Sequence, residues 1–197
     1  MNKLLWFTNE ELFHGYSPHV QTFHVITVAT FALFSTNVFA SAINGLTKSD
    51  FVDVANEYGI NPKLLYSIAV VESSMTKGNN AKPWPYTINK KGKPYYLDSK
   101  QEAEKKLTQL ISSTDKKHID VGAMQVNLGW HGSRVDEPAD LFNPKTNLRV
   151  GAEILKNALD SSPNNLKLGI GRYHSWDKGR AIGYANKVMS VMKTVAL

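Results

Sequence analysis

Glu72 is the residue whose type and place say most about chemistry. It falls seven residues after Leu65, four after Ile68 and three after Ala69. On a helix that spacing turns its carboxyl toward the apolar face. It also lies near the helix C-terminus, where the backbone dipole disfavours negative charge. Burial and dipole both raise a carboxylic acid's pKa, which suits a general acid working near neutral pH. The same pattern fits a structural Glu paired with an Arg, so the position alone leaves both readings open.

Two further clusters carry chemical groups. In Asp120-Val121-Gly122-Ala123-Met124-Gln125-Val126-Asn127, Gly122 allows a close backbone approach. The amides of Gln125 and Asn127 can donate to and accept from sugar hydroxyls, and Met124 can form an apolar wall. Taken alone, the stretch reads as a loop entering a short helix. In Gly169-Ile170-Gly171-Arg172-Tyr173-His174-Ser175-Trp176, a Tyr hydroxyl can hold a carboxyl and a Trp can stack on a sugar face. The plain alternative is a core Tyr and a surface Trp. His118, His131 and His174 lack metal-ligand spacing, and no phosphate loop or nucleophile elbow occurs. No metal and no cofactor is assigned.

The elements that must position these groups are mostly helical. Ser49 is the predicted cap of a helix carrying Phe51, Val54, Ala55 and Tyr58, ended by Gly59. Asn61-Pro62 opens the helix that leads to Glu72. Asn89-Lys90-Lys91-Gly92 between Tyr86, Ile88, Tyr95 and Leu97 predicts a small β-hairpin. Ser99 and Glu102 form a capping-box pattern before Ala103, Leu107 and Leu110. Asn143-Pro144 opens a helix with Leu148, Gly151, Ala152, Leu155 and Leu159. A helix near 165–174 follows, and a last one carries Ala181, Tyr184, Ala185, Val188 and Met192. The expected class is mainly α, a single helical domain with a small β-hairpin.

At 197 residues, 42% hydrophobic and 20% charged, the chain suits one soluble globular domain. With no cysteine, disulfides, thiolate metal sites and a cysteine nucleophile are excluded. The net charge of +6 favours an anionic partner, yet no long Lys/Arg block points to nucleic acid. Residues 23–40 carry no acid or base apart from His24, and their apolar run is too short for a membrane span. It fits a secretory signal covering 1–42, cleaved after Ala40 or Ala42, with residues 43–197 as the mature domain; a retained anchor and a buried core helix are the alternatives. The signal predicts a periplasmic protein. Its removal takes away Lys3, Glu10 and Glu11 and leaves a more basic chain.

Taken in order, the clusters resemble the soluble lytic transglycosylase family (SLT domain, glycoside hydrolase family 23 type). Glu72-Ser73 matches that family's Glu-Ser motif. Gly122-Ala123-Met124-Gln125-Val126 matches its Gly-Leu-Met-Gln-aliphatic motif, with Ala for Leu. Arg172-Tyr173-His174 matches its Ala-Tyr-Asn motif with two positions changed. Asn143-Pro144, Asn147-Leu148 and Gly151-Ala152 look like the stretch between the second and third motifs. The likeness covers about residues 46–195.

The resemblance implies a lysozyme-like α+β fold and peptidoglycan glycan strands as substrate. It also implies cleavage of the β-1,4 bond between N-acetylmuramic acid and N-acetylglucosamine, giving a 1,6-anhydro sugar. Residue by residue, Glu72 becomes the acid/base and Ser73 supports the site. Met124 and Gln125 line the cleft, and Tyr173 orients the Glu72 carboxyl. Asn127 and His174 join the substrate-binding set. The altered third motif suggests the subgroup that serves envelope-spanning secretion or conjugation machines, and a monomer is expected. One alternative is a hydrolytic lysozyme, which needs a second carboxylate. Asp115, Asp120, Asp136 and Glu137 are its candidates, Asp120 foremost. The other is a non-catalytic wall-binding protein.

Overall fold

A computed structural model describes residues 45–75 and 81–197. The expected signal segment, 1–42, lies outside the described residues. The first helix, α1 (Lys48–Glu57), is capped by Thr47 rather than by Ser49. Thr47 Oγ1 accepts from the Asp50 amide at 3.2 Å, and Asp50 Oδ2 accepts from the Thr47 amide at 2.8 Å. This reciprocal box starts the helix two residues earlier than a Ser49 cap would. Phe51, Val54 and Ala55 are buried as the period requires.

Asn61 caps α2 (Pro62–Ser73), its Oδ1 accepting from the Lys63 amide at 2.9 Å. Pro62 at the first position has no donor to orphan. Leu64, Leu65, Ile68 and Ala69 enter the core, so Glu72 emerges at the end of a buried stripe.

The expected hairpin forms from β1 (Thr87–Lys90) and β2 (Lys93–Tyr96). Lys91 and Gly92 both take left-handed φ, 50° and 83°, and this matches the strand twist in a two-residue turn. The sheet is larger than a hairpin. Beyond α3 (Lys100–Ile111), the short strands β3 (Ile119–Val121) and β4 (Val126–Asn127) extend it in the order β2-β1-β3-β4, antiparallel throughout. The segment expected as a loop is therefore a second hairpin. Its sequence signal is the alternation that buries Ile119 and Val121 and turns Asp120 outward.

The remaining helices are α4 (Leu128–His131), α5 (Pro144–Asp160), α6 (Leu166–Arg172) and α7 (Lys178–Thr194). Leu148, Ala152 and Leu155 of α5 and Tyr184, Ala185 and Val188 of α7 join the α2 stripe in one core. No described helix is long and apolar enough to cross a membrane.

Candidate functional site

A cleft of ≈ 970 Å³ opens between the sheet and the helices. Glu72 stands on its wall, half-buried, in the last turn of α2. Tyr184, from the middle of α7, donates its hydroxyl to Glu72 Oε1 at 2.6 Å. No other hydrogen bond reaches this carboxyl among the described residues. Burial pushes its pKa up to about 7, and the Asp120 charge adds to the rise. The Tyr184 hydrogen bond and the positive charge of Lys187 pull the other way and do not offset burial.

The 121–125 turn is pinned from behind by Asn147 of α5. Its Oδ1 accepts from the Met124 amide at 2.8 Å, and its Nδ2 donates to the Val121 carbonyl at 2.9 Å. Gly122 has φ +82°, and a Cβ there would stand 2.2 Å from Asn147 Nδ2. One turn along α5, a Cβ on Gly151 would meet Met124 Cγ at 2.5 Å. The Gly-Ala-Met-Gln segment and the Asn147–Gly151 segment are thus two halves of one interlock. Gln125, itself at φ 46°, is the residue this turn presents to the cleft. Its Nε2 donates to the Gly122 carbonyl at 2.8 Å, and its amide oxygen makes no hydrogen bond among the described residues.

Several expected roles change. Met124 is wholly buried against Gly151, so its side chain does not line the cleft. Ser73 is buried too. It donates to the Ala69 carbonyl at 3.0 Å and accepts from the Trp84 amide at 3.0 Å, tying the segment before β1 to the end of α2. It is a strut rather than a binding group. Tyr173 does not hold Glu72; its hydroxyl donates to the Met124 carbonyl at 2.7 Å. The carboxyl's one hydrogen-bond partner among the described residues is Tyr184, through Oε1. Asn127 lines the cleft, but its amide is used internally. Nδ2 donates to Asp120 Oδ1 at 2.8 Å and to the Lys117 carbonyl at 3.0 Å, while Oδ1 caps α4.

His174 lines the cleft. Its ring lies on that of Tyr184, centroids 4.8 Å apart and planes at 4°, and burial holds its pKa below the usual value. Arg172 explains its own departure from the family motif. Its Nη1 donates to the Ser161 carbonyl at 2.6 Å and to Ser162 Oγ at 2.7 Å, and its guanidinium stacks 4.8 Å from the Trp176 ring. Trp176, with Arg172 against its ring, and Trp130 are 70% and 78% exposed and stand on the rim of the cleft.

Of the four other carboxylates considered, only Asp120 faces the same cleft as Glu72. Its pKa is raised, first by burial, and partly restrained by the Asn127 hydrogen bond. Asp115 is exposed and paired with Lys117 at 3.1 Å.

The sequence matches the family model of the transglycosylase SLT domain over residues 51–181. The chain belongs to the SLT transglycosylase family. It is therefore a lytic transglycosylase acting on peptidoglycan, with the mainly helical lysozyme-like fold of that family. A search of curated proteins and one of solved structures found no match. The SLT match runs from Phe51 in α1 to Ala181 in α7 and takes in Glu72, the interlocked turn and the 169–176 segment. Tyr184 falls three residues beyond it. Sequence reasoning missed this residue because it sits among Ala181, Ala185 and Val188 on a buried face and reads as core.

Proposed function

We propose that Glu72 is the single acid/base of this transglycosylase and that the product is a 1,6-anhydro sugar. The observation that carries the reading is a cleft carboxyl whose pKa is pushed to about 7 and whose Oε1 is held by Tyr184. With Oε1 occupied, Oε2 is the oxygen left to carry a proton toward the substrate. Near neutral pH a large share of the molecules have that proton to give.

Glu72 protonates the glycosidic oxygen between N-acetylmuramic acid and N-acetylglucosamine. The C1–O4 bond breaks and N-acetylglucosamine leaves with a free 4-hydroxyl. The muramic acid 6-hydroxyl oxygen bonds to C1, and its proton passes to the Glu72 carboxylate. The acid is regenerated and no water is consumed. Because the attacking hydroxyl belongs to the same sugar, proximity supplies what a second carboxylate supplies elsewhere. Gln125, His174, Trp130 and Trp176 are the side chains that meet the strand, with Tyr184 as positioning residue.

One observation favours a second reading. Asp120 shares the cleft, and a two-carboxylate hydrolase would use it. The identity of the new chain end separates the two, anhydro for the transglycosylase and reducing for the hydrolase.

We further propose that residues 1–42 are an export signal delivering residues 43–197 to the periplasm, where the enzyme opens the wall for an envelope-spanning machine. N-terminal sequencing of the envelope protein should read from Ser41 or Ile43. An intact Met1 on the cytoplasmic protein would reject export.

A further inference from the structure

We propose that Arg180 selects the acidic sugar of the strand by pairing its guanidinium with a carboxylate on the muramic acid side arm. The inference rests on the reading of the cleft as the place where the glycan is cut. It adds a residue that tells one sugar from its neighbour.

Three arginines line the cleft, Arg134, Arg172 and Arg180. Two of them are committed to the protein. Arg134 pairs with Glu153 through Nη1, and its Nε donates to His131 Nδ1 at 3.4 Å. Arg172 Nη1 donates to the Ser161 carbonyl and to Ser162 Oγ, with the guanidinium against Trp176. Arg180 is different. Its side chain makes no hydrogen bond among the described residues and is 74% exposed. The one carboxylate within salt-bridge reach is Asp177, whose Oδ1 stands 3.6 Å from Nε. That oxygen already accepts from the Arg180 amide at 2.9 Å as the cap of α7. An exposed pair of this kind adds little to stability.

Local rules do not ask for a cation here. Arg180 and Lys178 lie in the first turn of α7, which holds no acid, at the end where the helix dipole disfavours positive charge. A local rule broken without gain to the fold points to function. The helix also fixes the place. Arg180 precedes Tyr184 by four residues, so both side chains leave the same face of α7, ~6 Å apart along its axis. Tyr184 is the residue that holds Glu72. Burial, and then the charges of Lys187 and Arg180, hold down the pKa of His174, whose ring stacks on Tyr184.

The chemistry picks the ligand. The sugar rings of the strand offer hydroxyl and N-acetyl groups, all neutral. Acid is confined to the arm at C3 of each muramic acid. It is the lactyl carboxylate where the arm is bare, and the free carboxylates of the peptide where one is attached. Muramic acid flanks the bond that Glu72 protonates, so its arm begins within a sugar's width of the acid. A guanidinium fork meets a carboxylate through two parallel hydrogen bonds. The strand alternates two β-1,4 linkages, and a cation fixed beside Glu72 sets which of them is cut.

The test is isothermal titration calorimetry of the full chain carrying Glu72→Gln, which leaves the ligand uncut. It is compared with Glu72→Gln/Arg180→Gln, and circular dichroism and melting temperature establish that both are folded. The ligands are tetrasaccharides of the alternating sugars with peptide stems, the same without stems, the stemless form with its lactyl carboxyls amidated, and neutral chitotetraose. Arg180→Gln should weaken binding of the two acidic ligands roughly ten-fold at low salt. The loss should vanish on the amidated and neutral ligands. A loss confined to the stemmed ligand assigns the peptide carboxylates, and one confined to the stemless ligand assigns the lactyl group. Equal binding of both proteins to both acidic ligands would overturn the proposal, as would an equal loss on the amidated and neutral ligands. Failure of every ligand to bind the Glu72→Gln protein would overturn the reading of the cleft and this proposal with it.

Discussion

Tyr184 of α7 donates to Glu72 Oε1 of α2 at 2.6 Å, joining residues 112 positions apart in the sequence. The tyrosine is held from the cleft side by the His174 ring stacked on it and is buried on the other. One oxygen of the carboxyl is therefore fixed by a rigid partner, and no hydrogen bond reaches the other among the described residues.

Tyr184→Phe should keep the ring and lose the hold. A catalytic group free to rotate loses rate, so turnover should fall about ten-fold or more. The melting temperature should change little, since one hydrogen bond contributes only ~1 kcal/mol. The pH profile gives a signature that a packing role would not. The Tyr184 hydrogen bond lowers the Glu72 pKa, so its removal should move the alkaline limb of activity to higher pH. An unchanged limb with normal turnover would remove Tyr184 from the site.

Asp120→Asn separates the roles of the two cleft carboxyls. The Asp120 charge raises the Glu72 pKa. Neutralising it should lower that pKa and shift the alkaline limb to lower pH, while activity on the acid side persists. Loss of activity at every pH in a folded Asp120→Asn protein would favour a two-carboxylate hydrolase.

Glu72→Gln should cost at least ~100-fold in turnover, the usual worth of general acid catalysis. It should also stabilise the protein, in a pH-dependent way. The folded pKa of about 7 lies above the ordinary 4.5, so the folded state binds the proton more tightly than the unfolded one. Stability is then lost as pH rises from about 4.5 to about 7, and the loss is complete above that window. The wild type should be weaker than the variant by on the order of 3 kcal/mol at pH 8 and equal to it near pH 4. Thermal melts at the two pH values measure the difference, and parallel melts at both would mean the carboxyl carries no burial cost.

Local rules made part of this site legible. Leu65, Ile68 and Ala69 point Glu72 inward through helix period alone, and Asn61-Pro62 and Asn143-Pro144 mark their helix starts at the observed residues. The Lys91-Gly92 turn is equally local. What escaped depends on contacts between distant segments. Motif likeness placed Met124 in the cleft and Ser73 in the substrate-binding set, whereas packing against Gly151 and the link to Trp84 put both side chains inside. Tyr173 and Tyr184 are both core-facing tyrosines near a chain end. Only the approach of α7 to α2 decides which hydroxyl meets the acid. Strands of three and two residues, β3 and β4, are too short for periodicity to separate from a loop.

The measurement that bears most directly on Glu72 as a lone acid/base is digestion of purified sacculi in ¹⁸O-labelled water, with the new chain ends read by mass spectrometry. The account predicts 1,6-anhydromuramic ends carrying no ¹⁸O, because the attacking oxygen comes from the sugar itself. Reducing ends labelled with one ¹⁸O would contradict it.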